Sequence, residues 1–430
     1  MIYLYKIVTA VFFVMVLPIL PLLYLFSKKR RASLIHRLGI STGLRFKEKK
    51  EKRIWIHALS VGEVKSAVPL VTALKEKNRQ LEIMFTASTQ TGFDMASALF
   101  LKPGLVDQAA YFPFDLGVSI QRVFSRINPD AIVLVETDLW PNFLYEMNKH
   151  HIPVILINAR LSQRSLNGYL RFKPFAGLFF SFLTQIMTQT ALDKDRFGQL
   201  GIDPEKILVT GNIKFDQLFE TMDATAVAQL KKQLGMKQTD LVVLAGSTHE
   251  GEEQIMLNWF DKISDTTDHV WLIIAPRDPK RSLVLKKTVQ STLFSTFFLS
   301  ESGPAGPNPR VMFVDRMGEL SKLYAICDIA FVGGSLVNEG GHNPLEPAAY
   351  SKPIVFGPDM SDFAEISDIL ADSGGTVMVD SDKGLEEQLG MLLKNREQRE
   401  QMGAKNFNVF SSHSGAVKTI LSRMEQLSIV

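Results

Sequence analysis

The 430-residue chain has a single cysteine, Cys327, which excludes an intrachain disulfide and any thiolate cluster for zinc. In the run LYAICDIAF it reads as a small buried apolar group rather than a nucleophile. Charge of one sign is also scarce. With 48 Lys and Arg against 45 Asp and Glu, the net charge of +3 is too small to argue for a nucleic-acid partner. The chain has no internal repeat and no low-complexity tract. The short acidic triplets Asp193-Lys194-Asp195 and Asp380-Ser381-Asp382 fall on helix or loop surface, and no metal site is expected from them.

What is present is apolar and periodic. A hydrophobic content of 46% over this length suits two cores, because single cores rarely grow beyond roughly 250–300 residues. Residues 7–26 carry no charge, and a bilayer core needs about 20 apolar residues as helix. Tyr3, Tyr5 and Tyr24 are placed for the two interfaces, and Lys28, Lys29, Arg30 and Arg31 follow at once. Basic residues stay on the cytoplasmic side, so the main body is expected there. A cleaved signal peptide would carry its charges before the apolar run and small residues after it, and LFSKKRR has neither. Residues 1–27 are therefore expected to be one anchor. It either spans the membrane or, kinked at Pro18 and Pro21, dips in without crossing. The cationic stretch 33–53 reads as a solvated linker or as a surface near anionic lipid, where each basic side chain contributes about 1 kcal/mol.

From Ile54 onward short apolar runs alternate with amphipathic segments. Strands are expected at 54–59, 82–88, 131–136, 154–158, 185–190 and 207–210, with helices at 64–78, 90–100, 118–125, 139–150 and 192–200. After the polar stretch 215–238 the pattern restarts, with strands at 241–246, 270–275, 296–299, 311–314, 329–332, 353–356 and 376–379. Helices are expected at 250–264, 279–290, 317–325 and 361–372, and 300–310 is a loop by composition. Continuous apolar strands separated by helices mean parallel sheets covered on both faces. The expected architecture is α/β, with two doubly wound domains, 28–214 and 215–430, facing a cleft. The last helix, 415–426, is a candidate to pack back on the first domain.

The stretch IAFVGGSLVNEGGHNPLEPAAY, residues 329–350, organises the chain. A strand breaks at Gly333-Gly334, and a helix is expected to start at Asn343 as N-cap with Pro344 in its first turn. Glycine backbone approaching free helical N–H groups suits a phosphate, and Glu346 could accept hydrogen bonds from a ribose diol. An ordinary βα turn remains the alternative.

Five further strand ends carry candidate chemistry. Glu63, in HALSVGE, is either a capping carboxylate or a general base. Glu136, in LVETDLWP, either pairs with a cation such as Lys214 or Arg160 or faces the cleft, and Asp138 reads as the next N-cap. Lys214, in TGNIKFD, either balances charge on a donor or pairs with Asp216. Arg277, in APRDP, has the planar donor fork suited to phosphate, and the turn VDRMGEL could hold a base or ribose. Gly246-Ser247-Thr248-His249-Glu250 also starts a helix, but capping accounts for its composition and it is left outside the site.

Taken together, ALSVGE, VETDLWPN, GNIKFD, APR, MGEL and GGHNPLEP, in this order and spacing, resemble the Kdo transferase family. Those enzymes move 3-deoxy-D-manno-octulosonic acid (Kdo) from its CMP-activated form to the lipid A precursor in lipopolysaccharide core biosynthesis. The resemblance covers nearly the whole chain. It implies a glycosyltransferase-B fold, an inverting transfer without metal or other cofactor, and attachment to the cytoplasmic side of the inner membrane. It also implies that Glu63 is the general base and that Glu136 and Lys214 stabilise the transition state. Pro276, Arg277, Met317, Gly318, Glu319, Asn343, Pro344, Leu345 and Glu346 would bind CMP. Pro344 stands where many relatives would have an apolar residue such as leucine.

Overall fold

The structure, a computed structural model, describes residues 2–16, 28–41, 43–44, 49, 51–136, 139–289, 294–301 and 309–430. The prolines expected to kink the anchor, the Asp138 cap and most of the 300–310 loop lie outside these. The chain divides into two compact units, Met1–Gln217 with His413–Val430, and Leu218–Ser412.

The first unit holds a seven-stranded parallel sheet. Its strands are β1 (Arg53–Ala58), β2 (Glu82–Ala87), β3 (Gln108–Tyr111), β4 (Ala131–Val135), β5 (Val154–Ala159), β6 (Gln185–Thr188) and β7 (Ile207–Val209). Their order is β3-β2-β1-β4-β5-β6-β7. Every residue of β1, β4 and β5 is buried, as expected where helices cover both faces. Ile54, Ile56 and Phe85 point to one face and Trp55, Met84 and Ile132 to the other, each within its own core cluster. Burying each such side chain contributes about 1.5–3 kcal/mol. Truncating Phe85, which is fully buried, would cost about 3–5 kcal/mol.

Several local differences from the sequence reading have simple causes. The helix expected over 64–78 is two, Val61–Ser66 and Val68–Lys77, broken at Ala67 with Pro69 in the first turn of the second. The edge strand β3 has only the sequence QAAY, too short and alanine-rich to signal itself. The basic segment begins as a helix, Lys28–Arg37, rather than a linker. Arg37 fastens it by donating from Nε to the Phe112 carbonyl at 3.1 Å, with its guanidinium 4.4 Å from the Phe114 ring centre. The last helix, Ala416–Gln426, buries Ala416, Ile420 and Met424 in the core beneath β1. Asp216 caps it, accepting from the Val417 N–H at 2.6 Å.

The second unit repeats the plan with β8 (Leu241–Thr248), β9 (Val270–Pro276), β10 (Ser295–Phe298), β11 (Pro309–Phe313), β12 (Ile329–Val332), β13 (Ile354–Phe356) and β14 (Thr376–Met378). Their order is β10-β11-β9-β8-β12-β13-β14, again all parallel. The polar stretch 215–238 is not a plain separator, since it contains the helix Ala224–Gln233. Strand order reverses between β1 and β4 in one sheet and between β8 and β12 in the other. Open α/β sheets bind ligands at these reversals, beyond the carboxyl ends of the strands.

The N-terminal helix, Ile2–Val16, lies against the helix Pro141–Lys149. No helix among the described residues is long and apolar enough to cross a membrane, so the spanning form of the anchor finds no support. The N-terminal helix has 15 described residues, short of the roughly 20 that a bilayer core needs, and its inward face is polar. Tyr5 donates to Asp115 at 3.1 Å, Lys6 pairs with Glu146 at 2.7 Å, and the Thr9 hydroxyl accepts from Asn142 at 3.1 Å. The polar side chains face the protein. Leu4, Ile7, Val8, Phe12, Val14 and Met15 are exposed.

Candidate active site

At the reversal in the first unit, Glu63 follows β1 and Glu136 ends the run of β4, so the two carboxylates belong to neighbouring strand ends. Ser60 caps the Glu63 helix, and the Leu59 N–H donates to one Glu63 carboxylate oxygen. The capping expected of this glutamate is thus present, and it fixes the carboxylate at the strand end. Glu136 is half-buried and adopts φ of +61°, a left-handed backbone that strains a residue with a Cβ. Its N–H is held by the Ile157 carbonyl of the next strand at 2.9 Å.

Lys214 is brought to the same side by a relay. Asn158, at the end of β5 and itself at φ +52°, accepts the Ile213 N–H at 3.1 Å. Asn212 then accepts the Lys214 N–H at 3.0 Å and opens a short 3-10 turn, Ile213–Asp216. The alternative partner of Lys214, Asp216, instead caps the last helix. Among the acidic triplets, Asp193 is buried and accepts from the Leu161 N–H and the Thr190 hydroxyl, which is structural work. No group of three or more His, Cys, Asp or Glu side chains suited to a metal ion occurs among the described residues.

In the second unit the other candidates follow β9, β11 and β12. Pro276 ends β9, and the Arg277 N–H donates to the Thr248 carbonyl at 2.9 Å, which sets Arg277 beside the end of β8. The Arg277 side chain is exposed. Met317, Gly318 and Glu319 form the turn from β11 into the helix Leu320–Ile326, with Gly318 at φ +89° and Met317 exposed. Arg316 and Glu319 line a small cavity of about 210 Å³ beside that helix.

The Asn343 segment differs from expectation. Its helix, Leu345–Ala349, has five residues, and Pro344 rather than Asn343 is the N-cap. Asparagine side chains readily close turns on their own backbone. Here the Asn343 side-chain oxygen Oδ1 accepts the Leu345 N–H at 3.1 Å, which holds Pro344 just outside the helix. Glu346, half-buried, sits near the fully buried Tyr324, and burial first and Glu346's charge second push that phenol up. Tyr324 in turn lies over Gly246 on β8, where a Cβ would come within 2.2 Å of its hydroxyl.

The sequence reading passed over two features. Glu252 is fully buried, and its carboxylate accepts four backbone N–H groups: Gly334 at 2.7 Å, Ser335 and Leu336 at 3.0 Å each, and His249 at 2.9 Å. It pins the loop after β12 to the helix after β8. His249 and His342 then meet across the reversal, their Nε2 atoms 2.8 Å apart. The only sequence signal for either feature was polar residues just after an apolar strand, and it had been ascribed to capping.

The sequence model of a family described as 3-Deoxy-D-manno-octulosonic-acid transferase (kdotransferase) matches residues 32–217. The 3-deoxy-D-manno-octulosonic acid transferase of Haemophilus influenzae is 35% identical over 378 residues, covering 86% of this chain and 86% of its own. That of Chlamydophila psittaci is 30% identical over 348 residues, covering 79% and 78%. Among solved structures, the UDP-GlcNAc 2-epimerase of Neisseria meningitidis bound to UDP-GlcNAc superposes with a TM-score of 0.58. At 15% identity, over 87% of this chain and 100% of that one, the likeness is one of fold.

Proposed function

Because this chain belongs to the 3-deoxy-D-manno-octulosonic acid transferase family, it is a Kdo glycosyltransferase, and we propose that it moves Kdo from CMP-Kdo to the lipid A precursor with inversion. The observation that carries this reading is the pairing of candidate residues with strand-order reversals. Glu63 and Glu136 flank the reversal in one sheet, and the Arg277 and Asn343 segments flank the reversal in the other. In this reading the fold is glycosyltransferase-B.

The chemistry fits the residue types. A sugar hydroxyl has too high a pKa to ionise unaided, so attack needs a base such as Glu63. Departure of CMP leaves a phosphate dianion, and Arg277 with the backbone around Asn343 would stabilise it without a metal. Pro276, Met317, Gly318, Glu319 and Glu346 hold the nucleotide in this scheme. Glu136 steadies the positive charge that develops at the anomeric carbon, and Lys214 balances the negative charge that develops on the donor.

The N-terminal helix suggests how the acceptor is met. A helix that turns Tyr5, Lys6 and Thr9 to the protein and Leu4, Ile7, Val8 and Phe12 outward is suited to lie against lipid. Leu4, Tyr5 and Val8 also line an apolar groove of about 810 Å³ with Leu139, Phe172 and Phe175. The acyl chains of the lipid A precursor match such a groove. The reading places the protein on the cytoplasmic face of the inner membrane as a surface-bound, monotopic enzyme.

The direct test is incubation with CMP-Kdo and tetraacyl lipid A precursor, with mass spectrometry counting the sugars added. One or more Kdo additions are expected. No product with CMP-Kdo, or equal turnover of a UDP-sugar, would overturn the donor assignment.

A further inference from the structure

Beside the segments assigned to the donor, the second unit presents a pair of histidines to which no role has been given. His249 follows β8, and His342 sits in the loop after β12, directly before Asn343. Their Nε2 atoms are 2.8 Å apart and their rings lie nearly parallel, 5.1 Å apart and tilted 12°. A contact between two imidazole nitrogens at this distance holds one proton, donated by one ring and accepted by the other.

The backbone builds this contact. Register slips between Gly246 and Thr248, with Ser247 at φ +56°, which redirects the chain that delivers His249. Gly334, at φ +72°, passes under the His342 ring so closely that a Cβ would lie 3.1 Å from it. Gly333 packs against Ser247 and Thr248, where a Cβ would come within 2.6 Å of backbone. Thr248, the neighbour of His249, accepts the Arg277 N–H on its carbonyl, and His342 directly precedes Asn343, so the pair adjoins both segments.

We propose that His249 and His342 are donor-binding residues whose two Nε2–H groups grip one oxygen anion of the sugar nucleotide, opening their mutual hydrogen bond and taking up one proton from solvent. Before binding the pair carries one Nε2 proton. After binding it carries two, both directed at the anion, and the positive charge gained offsets the anion's. Two anions on the donor have this chemistry, the phosphate of CMP and the carboxylate of the sugar acid. This inference rests on the CMP-Kdo reading.

Acidic groups stand around the pair. Glu339 lies 3.9 Å from His249 Nδ1. Glu252 is held beneath by backbone N–H groups, and Glu250 and Glu253 on the same stretch both face Arg281. Across Gly340 stand Asp359, which accepts its N–H, and Asp362.

The test is calorimetry of the full-length protein in two buffers of different ionisation enthalpy, at a pH about one unit above the ordinary imidazole value of about 6.5. CMP alone and free Kdo alone serve as separate probes. Uptake approaching one proton with CMP assigns the phosphate, and uptake with free Kdo alone assigns the carboxylate. The variants His249→Asn and His342→Asn are each expected to abolish the uptake and weaken that probe about tenfold, while circular dichroism stays unchanged. Binding of both probes to the wild type without proton uptake would overturn the clamp and leave the donor reading intact, as would uptake that persists in both variants. Failure of CMP to bind the wild type at millimolar concentration would overturn the donor reading and this inference with it.

Discussion

Glu63 is where the capping and catalytic readings of one residue meet. Its carboxylate accepts the Leu59 N–H and so has a fixed position at the end of β1. A base benefits from that rigidity, because its oxygen need not be ordered at each turnover. Glu63→Gln keeps a group able to accept the same N–H but cannot take a proton. The expected result is unchanged donor affinity with transfer reduced at least about 10²-fold. Isothermal titration beside the mass-spectrometric assay separates the two effects, and near wild-type turnover would remove Glu63 from the role of base. Arg277 is the complementary case. It is exposed and set by its backbone beside the end of β8. Arg277→Ala should weaken CMP binding by about tenfold or more, as for loss of a charge-assisted contact, with acceptor affinity unchanged. Equal loss of both would contradict a phosphate role. Cys327 belongs at this scale too. It is 1% exposed, and burial pushes its thiol up to about 12, so it stays protonated and unreactive at neutral pH.

At the scale of elements, strands were easy to read and the loops that carry function were not. A fully buried strand such as Ala131–Val135 can hardly be anything but apolar, and its sequence AIVLV says so. The loop after β12 takes its shape from a partner 82 residues earlier in the chain, Glu252, and no local pattern announces such a bond. The short edge strand β3 and the early start of the basic helix were hidden for the same reason, since neighbours rather than propensity decide them. Glu252 therefore makes the sharpest prediction here. Glu252→Ala leaves four N–H groups without their acceptor, and each buried unsatisfied donor costs about 1–3 kcal/mol. A loss of at least about 3 kcal/mol in urea unfolding is expected, together with loss of CMP binding. A loss below about 1 kcal/mol would show that water or a neighbouring group replaces it. The same loop is clasped from its other side by Asp359. The Gly340 N–H, then the Ser361 hydroxyl and N–H, hold that half-buried carboxyl below its ordinary value. Its contribution is complete above the ordinary aspartate pKa and disappears as pH falls through the lowered one.

For the whole molecule, the proposed lipid acceptor would be met through the N-terminal helix. In water, helices bury their apolar stripe, and this one does the reverse. Lys6 and the 4%-exposed Glu146 side chain form a pair that one partner cannot leave without stranding the other charge. Burial and the charge of Asp115 push the Tyr5 phenol up, which keeps it a donor throughout the physiological range. These polar contacts orient the helix, and Leu4, Val8 and Phe12 are left exposed. If that face lies on lipid, Val8→Asp with Phe12→Asp should lower co-flotation with anionic phospholipid vesicles by about tenfold or more. The exposed positions predict an unchanged melting temperature, because neither side chain stabilises the protein's own core. Lys6→Met should do the opposite, lowering the melting temperature through the stranded Glu146 carboxylate, a loss of about 3–5 kcal/mol for a broken buried pair. Turnover should follow the vesicle result when the acceptor is presented in a bilayer, and recover in the outward-face variant when a short-chain, water-soluble acceptor is supplied. Full vesicle binding by the doubly acidic variant would show that the membrane contact lies elsewhere on the protein.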